Sequence, residues 1–302
     1  MLISFGELLV DLIKNQENAF DAFPGGSPAN FSVGLARLGL RPKLIACVGR
    51  DFFGDMLIDN LKKENVDTSA IKRSGKKTTL VFVELNETIP EFVFYRSADV
   101  DICKEDINET FFCGAKWFHF VSLSLTEDRM REALFHCLKL AKTYGLTVSF
   151  SPNIRKDIWN KKIDKHIFKS LEYVDVLIAS QSEYEHIFGK ASFEAVSKMF
   201  NIGKIAVTKG KDGCSLYSNH RTNGTIIQHP AFAVETVDTT GAGDAFAAGF
   251  VYSLMKGKAD DEAIRFASAV AALSTTKKGA MSGLPVLEDV EDFLTNQNNN
   301  II

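Results

Sequence analysis

Residues 238–250 read Asp238-Thr-Thr-Gly-Ala-Gly-Asp244-Ala-Phe-Ala-Ala-Gly-Phe250, and this stretch constrains the chain more than any other. Gly241, Ala242 and Gly243 stand directly before the carboxylate of Asp244, and an apolar helical run, Ala245 to Met255, follows. Small residues let the backbone turn tightly and point several N–H groups at one place, where the helix dipole adds to them. That combination is a ready anion site. A carboxylate there serves as a helix cap, and it is also placed to take a proton beside a bound phosphate. Taken alone, the segment supports both readings equally.

Of two familiar phosphate signatures, one is weak here and the other absent. A dinucleotide fingerprint needs Gly at the sixth position of G-x-G-x-x-G, and Phe246 stands there. A Walker A loop needs Ser or Thr after Gly-Lys, which never occurs in this sequence.

A second segment, Pro24-Gly-Gly-Ser-Pro-Ala-Asn30, opens a helix ending near Gly39. Ser27 is predicted as its N-cap and Pro28 as its first helical residue. Gly25 and Gly26 admit a ligand close to the backbone. Asn30, one turn in, carries both a donor and an acceptor suited to hydroxyl groups.

At 302 residues the chain suffices for one large α/β domain, and a single domain over 1–302 is expected. Its 45% hydrophobic and 24% charged residues are those of a globular protein. A formal net charge of -3 argues against bulk electrostatic binding of nucleic acid. The N-terminus lacks the features of a signal peptide, and no apolar stretch is long enough to span a bilayer. Five cysteines without C-x-x-C suggest buried thiols in a reducing, cytoplasmic setting. Cys113 and His119 form a lone pair better read as core than as metal ligands.

Short apolar runs at Leu2–Phe5, Lys43–Val48, Trp117–Val121, Thr147–Phe150, Val174–Ile178 and Lys204–Thr208 read as buried strands. Amphipathic stretches at Ser27–Leu38, Phe53–Glu64, Glu127–Tyr144, Lys165–Leu171 and Phe193–Phe200 separate them and read as helices. This alternation predicts a largely parallel sheet covered on both faces. Leu8–Ile13 and Thr78–Tyr95, with a turn near Asn86–Pro90, lack intervening helices and read as antiparallel pairs outside that sheet. Residues about 8–23 and 76–100 then form a small β lid over a cleft, with edges that a second copy of the chain is able to cover. Gly213–Ser218 and Thr225–His229 read as a hairpin, Asp260–Lys277 as a long helix, and Asn296–Ile302 as a frayed tail.

Together, Gly25-Gly26-x-x-Ala29-Asn30 and Asp238-Thr-x-Gly241-Ala-Gly-Asp244, in this order and at this spacing, resemble the ribokinase-like (pfkB) sugar kinases over nearly the whole chain. The resemblance implies a three-layer α/β/α fold with a small β lid and transfer of a phosphoryl group from ATP, with Asp244 as base and the 241–244 loop as anion hole. It implies that Asp11 accepts a sugar hydroxyl, beside Gly25, Gly26 and Asn30. Thr208-Lys-Gly210-x-x-Gly213 resembles the nucleotide loop, with Ser180 and Glu183 near the metal-bound phosphates and Glu183 holding Mg²⁺ through water. Asp238, Thr240 and Gly279, within Thr276-Lys-Lys-Gly-Ala280, resemble a monovalent-cation site suited to K⁺.

Phe94-Tyr-Arg96 and Ser151-Pro-Asn-x-Arg155 resemble fructokinases, with 2-keto-3-deoxygluconate kinases next and nucleoside kinases such as those for aminoimidazole riboside third. Arg96 and Arg155 are candidate contacts to the sugar or its phosphate, and Arg96 reads equally well as a surface salt-bridge partner. Ser151 and Ser180 depart from the Asp and Asn usual in the family, which leaves open a catalytically weak sugar- or nucleotide-binding protein. A dinucleotide oxidoreductase ranks last.

Overall fold

All four residues of Leu2–Phe5 are buried, as befits a strand inside a parallel sheet with helices on both faces. The computed structural model, which describes residues 1–17, 19–84, 91–155, 158, 161–220 and 223–299, places it there. The strands are β1 (Leu2–Phe5), β2 (Leu9–Gln16), β3 (Ala19–Gly25), β4 (Pro42–Gly49), β5 (Ile71–Ser74), β6 (Leu80–Glu84), β7 (Glu91–Tyr95), β8 (Trp117–Val121), β9 (Thr147–Ser151), β10 (Val176–Ser180), β11 (Lys204–Thr208), β12 (Cys214–His220) and β13 (Asn223–His229). The α-helices are α1 (Ser27–Arg37), α2 (Phe52–Lys63), α3 (Asp128–Thr143), α4 (Lys161–Leu171), α5 (Gln181–Phe188), α6 (Phe193–Phe200), α7 (Ala242–Met255), α8 (Asp260–Ser274) and α9 (Leu287–Asn299).

Among the described residues the main sheet has nine strands in the order β13-β12-β11-β10-β9-β8-β1-β4-β5. Every pairing from β5 across to β11 is parallel, and β12 and β13 close one edge as an antiparallel hairpin. The chain leaves β1 toward β4 on one side and later resumes at β8 on the other. The β1/β8 boundary is therefore a switch point, and the crevice at the carboxyl ends of its strands is where α/β folds place ligands. One face of the sheet packs on α1, α2, α7, α8 and α9 around Phe31, Leu57, Phe250 and Val270. The other packs on α3 to α6 around Phe118, Phe120, Phe150 and Leu134. The architecture is thus three-layered α/β/α, as the alternation predicted.

A second sheet, ordered β3-β2-β6-β7, is the small one expected beside the main sheet. Its pairs β2–β3 and β6–β7 are antiparallel, but β2 and β6 run parallel and join them, a pairing that the sequence reading lacked. The turn expected near 86–90 lies outside the described residues. On one face, Leu9, Ile13, Val81 and Val83 form a small apolar cluster with Phe23, Phe92 and Phe94.

Several boundaries differ from the sequence reading. Helix α7 begins at Ala242 rather than Ala245, and α9 carries the supposed tail as helix to Asn299, with 300–302 outside the described residues. Two of the five thiols are not buried, since Cys103 is partly exposed and Cys113 exposed. His119 is buried and stacked on Phe31, with Nδ1 against Ser149 Oγ, so it belongs to the core.

Close helix packing around α7 depends on missing side chains. A Cβ on Gly249 would stand 2.9 Å from Val270 Cγ2 and 3.0 Å from Ala267 Cα of α8. Gly249→Val is expected to cost about 1–3 kcal/mol by overpacking and to lower Tm by several degrees, as read by thermal denaturation. An unchanged Tm would show that α7 and α8 have room to part.

Candidate active site

The N-terminal turn of α7 is built as the sequence suggested. Gly241 is the N-cap at φ 78, a left-handed conformation that favours Gly. Its missing Cβ also makes room, since one placed there would lie 2.8 Å from Ala280 Cβ. The position of Gly243 faces open space. The Ala242 N–H is taken by Thr239 O, while those of Gly243 and Asp244 have no acceptor among the described residues. Of the loop's four N–H groups only that of Ala242 is thus spent, and those of Gly241, Gly243 and Asp244 remain for an anion among the described residues.

Asp244 is the third residue of α7, and its two oxygens meet α1 head-on. Ser27 Oγ donates to Oδ1 at 2.5 Å, and Asn30 Nδ2 donates to Oδ2 at 2.8 Å. Burial pushes the Asp244 pKa up, while the Ser27 and Asn30 hydrogen bonds and the Arg155 charge oppose the rise. Ser27 is therefore not the N-cap of α1. Gly26 holds that position at φ 106, and the Ser27 hydroxyl is spent on Asp244.

Two further carboxyl groups lie behind this pair. Gly25 is next to Asp11 across β2 and β3, and its lack of a Cβ leaves the space that the Asp11 carboxyl fills. Burial raises the Asp11 pKa to about 7, opposed by Arg155 and reinforced by Asp244. Glu7 is buried just after β1; its Oε1 accepts from Ser27 N at 3.1 Å, and its Oε2 has no partner. Burial likewise raises Glu7 to about 7. Arg155, whose charge acts on both Asp11 and Asp244, lies over the Phe92 ring of the second sheet at 4.7 Å.

A cavity of about 620 Å³ opens on the other side of the α7 turn. Thr208, Gly210 and Gly213 border it at the end of β11, Ala242 and Gly243 form its inner wall, and Phe246 and Ala272 lie on its apolar side. Its size and mixed lining suit a flat, partly polar ligand. Nearby, Asp238 accepts from Thr240 N at 2.8 Å through one oxygen and from Gly279 N at 2.8 Å through the other. Burial raises its pKa, but these hydrogen bonds outweigh burial and hold it below the usual carboxylate range. Ser180 caps α5 in a reciprocal box with Glu183. The Glu183 carboxylate accepts from Ser180 N, Ser180 Oγ and Ile154 N, each at 2.8 Å, and so fixes the segment that carries Arg155.

The whole arrangement has counterparts among known proteins. The model for the pfkB family carbohydrate kinases matches residues 1–287. The chain belongs to the pfkB family of carbohydrate kinases. A sugar kinase proposed in Pyrococcus horikoshii is 38% identical over 295 residues, covering 93% of this chain and 92% of that one. A Xylella fastidiosa fructokinase solved with bound ATP superposes with a TM-score of 0.90 at 30% identity, over 98% of each chain. A Vibrio cholerae fructokinase bound to fructose, ADP and calcium gives a TM-score of 0.85 at 30% identity, over 97% of this chain and 99% of that one. The protein is thus a sugar kinase, a phosphotransferase with an alcohol group as acceptor.

Within this pfkB kinase, the predicted residues fall into groups. Asp244, Asn30, Asp11, Gly25, Gly26 and Arg155 converge on one side of the α7 turn, and Thr208, Gly210 and Gly213 line the cavity on the other. Arg96, a candidate substrate contact or salt-bridge partner, is the latter: Nε and a terminal nitrogen bind Asp99 at 2.8 and 2.6 Å, while Nη1 donates to Thr126 Oγ1 at 2.5 Å. It fastens the end of β7 to the body rather than offering a free fork. Among the described residues no group of three His, Cys, Asp or Glu is arranged to hold a metal. Sequence reasoning missed Ser27 as a partner of Asp244, and it missed Phe246 and Ala272 because apolar residues of Ala-rich helices read as core.

Glu7 allows a test of this electrostatic picture. A carboxyl raised from 4.5 to about 7 on folding contributes stability below pH 4.5 that is lost as pH rises toward 7. Glu7→Gln keeps an acceptor for Ser27 N and removes this term, so it should flatten stability against pH, with a gain of about 3 kcal/mol at pH 8 relative to pH 4. Denaturant unfolding of both proteins at the two pH values is the measurement, and parallel pH curves would contradict the assignment.

Proposed function

We propose that this kinase transfers the γ-phosphoryl group of ATP to a hydroxyl of fructose. One observation carries the reading: the first turn of α7 separates the cavity bordered by Thr208, Gly210 and Gly213 from the carboxylate of Asp244. A nucleotide on one side and a sugar on the other would meet at the free N–H groups of Gly243 and Asp244.

In this scheme the sugar lies against Gly26, Asn30 and Asp11. Asn30 Oδ1 is buried without a partner, which suits it to accept a hydroxyl hydrogen. Asp244 takes the proton of the attacking hydroxyl as oxygen bonds to the γ-phosphorus and the bond to ADP breaks. The N–H groups of Gly243 and Asp244 hold the charge on the transferring group. Arg155 balances the carboxylates and faces the phosphate oxygens.

Magnesium is the divalent ion expected here. Glu183 already accepts three hydrogen bonds, which fits contact through metal-bound water rather than direct ligation, and Ser151 adds a buried, unpaired Oγ at the end of the adjoining strand. When bound, the ion supplies charge neutralisation on the phosphates. Asp238, Thr240 and Gly279 would hold K⁺: Asp238 is kept ionised and ties the two loops together. The second sheet would act as the lid. Its outer face exposes Phe20, Val93 and Tyr95, with Phe20 and Tyr95 edge-on to Phe82, and a second subunit covering it would make a dimer.

Fructose is favoured over an acid sugar by charge. A substrate carboxylate would meet Asp11 and Asp244, and Arg96 is committed to Asp99, leaving Arg155 to offset two acids. The test is ADP release with ATP, Mg²⁺ and K⁺ across fructose, 2-keto-3-deoxygluconate, ribose and aminoimidazole riboside. Fructose should show the highest kcat/KM. A higher value for the keto-acid would overturn the substrate, and sugar binding without turnover on any of them would favour a binding protein on a kinase scaffold.

A further inference from the structure

On the face of the molecule opposite α7 and α8, helices α3 and α4 enclose a pocket of about 610 Å³ that shares no residue with the nucleotide cavity. We infer that this pocket binds a compact organic phosphate carrying two or more negative charges, at a site separate from the active site.

The charge on its walls is one-sided. Lys104, Arg131, Lys139 and Lys169 contribute four permanent cations, against the single carboxylate of Glu132, in a chain whose net charge is -3. Nearby acids offset part of this. Asp128 takes one arm of Arg131, and Glu105 stands 3.8 Å from Lys104. Lys139 and Lys169 have no carboxylate within ion-pair distance among the described residues. Like charges gathered in a concave surface focus the potential and draw anions in.

The donors are also positioned. Arg131 is held by Leu125 O at 3.0 Å through Nη1 and by Asp128 through Nη2, so it contributes fixed charge rather than a free fork at the mouth of α3. Arg131 and Phe135 are four residues apart, as are Phe135 and Lys139, so the three share one ridge of α3. His166 faces them from α4, and its pKa is lowered by burial and then by the charges of Arg131 and Lys169, with Asp128 opposing. His136 adds a second imidazole.

An aromatic corner accompanies the cations. Phe135 and Tyr173 meet edge-to-face at 6.2 Å, and Lys169 Nζ lies 5.0 Å from the Phe135 ring. Inorganic phosphate would leave that apolar surface unused, whereas a sugar or base ring attached to the phosphates would cover it. The chemistry is therefore that of a phosphorylated metabolite.

The probe is fructose 1,6-bisphosphate, titrated calorimetrically into the kinase with its nucleotide and sugar sides saturated by ADP, Mg²⁺ and fructose, alongside inorganic pyrophosphate. We expect one binding event for the bisphosphate, tighter than for pyrophosphate, weakened roughly tenfold or more in the Lys139→Ala, Lys169→Ala double variant. Both lysines are exposed, so the variant should retain its fold, its ADP affinity and its basal turnover. Absence of binding to the saturated enzyme, or binding unchanged in the double variant, would overturn the proposal. Pyrophosphate binding as tight as the bisphosphate would overturn the aromatic contribution and with it the organic class.

Discussion

The meeting of α1 and α7 at one carboxylate is the constraint on which the rest of the site depends. Ser27 and Asn30, in the first turn of α1, supply both hydrogen bonds to Asp244, in the first turn of α7. Those contacts need two helix N-termini to converge at close range. Small residues permit it: a Cβ on Gly34 would stand 2.8 Å from Ala248 Cβ, so the helices lie nearer than ordinary side chains would allow. Gly26 then turns the chain at φ 106 so close to Glu7 O that no larger residue fits.

The cost of this convergence is electrostatic. Glu7, Asp11 and Asp244 are all pushed toward the protonated form by burial, and the described cation that acts on both aspartates is Arg155. A core seeking stability alone would replace such groups by apolar ones. Their presence together is the pattern of a site that trades stability for chemistry. The strongly apolar interior on both faces of the sheet, including a stack of Phe120 on Phe150 at 4.6 Å, is what tolerates that trade.

Much of this was legible in the chain. The parallel sheet followed from runs such as Leu2–Phe5 and Trp117–Val121, whose residues are buried on both faces. The Gly241–Asp244 turn was legible because its backbone requirement selects residue types directly. Ser27 was misread because a serine before an apolar run satisfies the capping rule equally well, and its true partner lies 217 residues away. For Arg96 the sequence left a substrate contact and a salt bridge equally open, and the buried Asp99 three residues on, 0% exposed, makes it the salt bridge. Helix α5 is short and polar, and its start rests on the Ser180–Glu183 box rather than on apolar periodicity. Strand β5, Ile-Lys-Arg-Ser, carries no hydrophobic alternation and forms only as an edge on β4.

The central claim is that Asp244 is retained for chemistry at a cost to folding, and one variant tests both halves. Asp244→Asn keeps the size of the side chain and an oxygen to receive Ser27 or Asn30. Turnover with ATP and the preferred sugar should fall ~10²–10⁴-fold, while thermal denaturation at pH 8 should show Tm at or above that of the parent. Near-parental turnover in a folded variant would contradict the account, and so would a large loss of Tm, which would make Asp244 a structural cap instead.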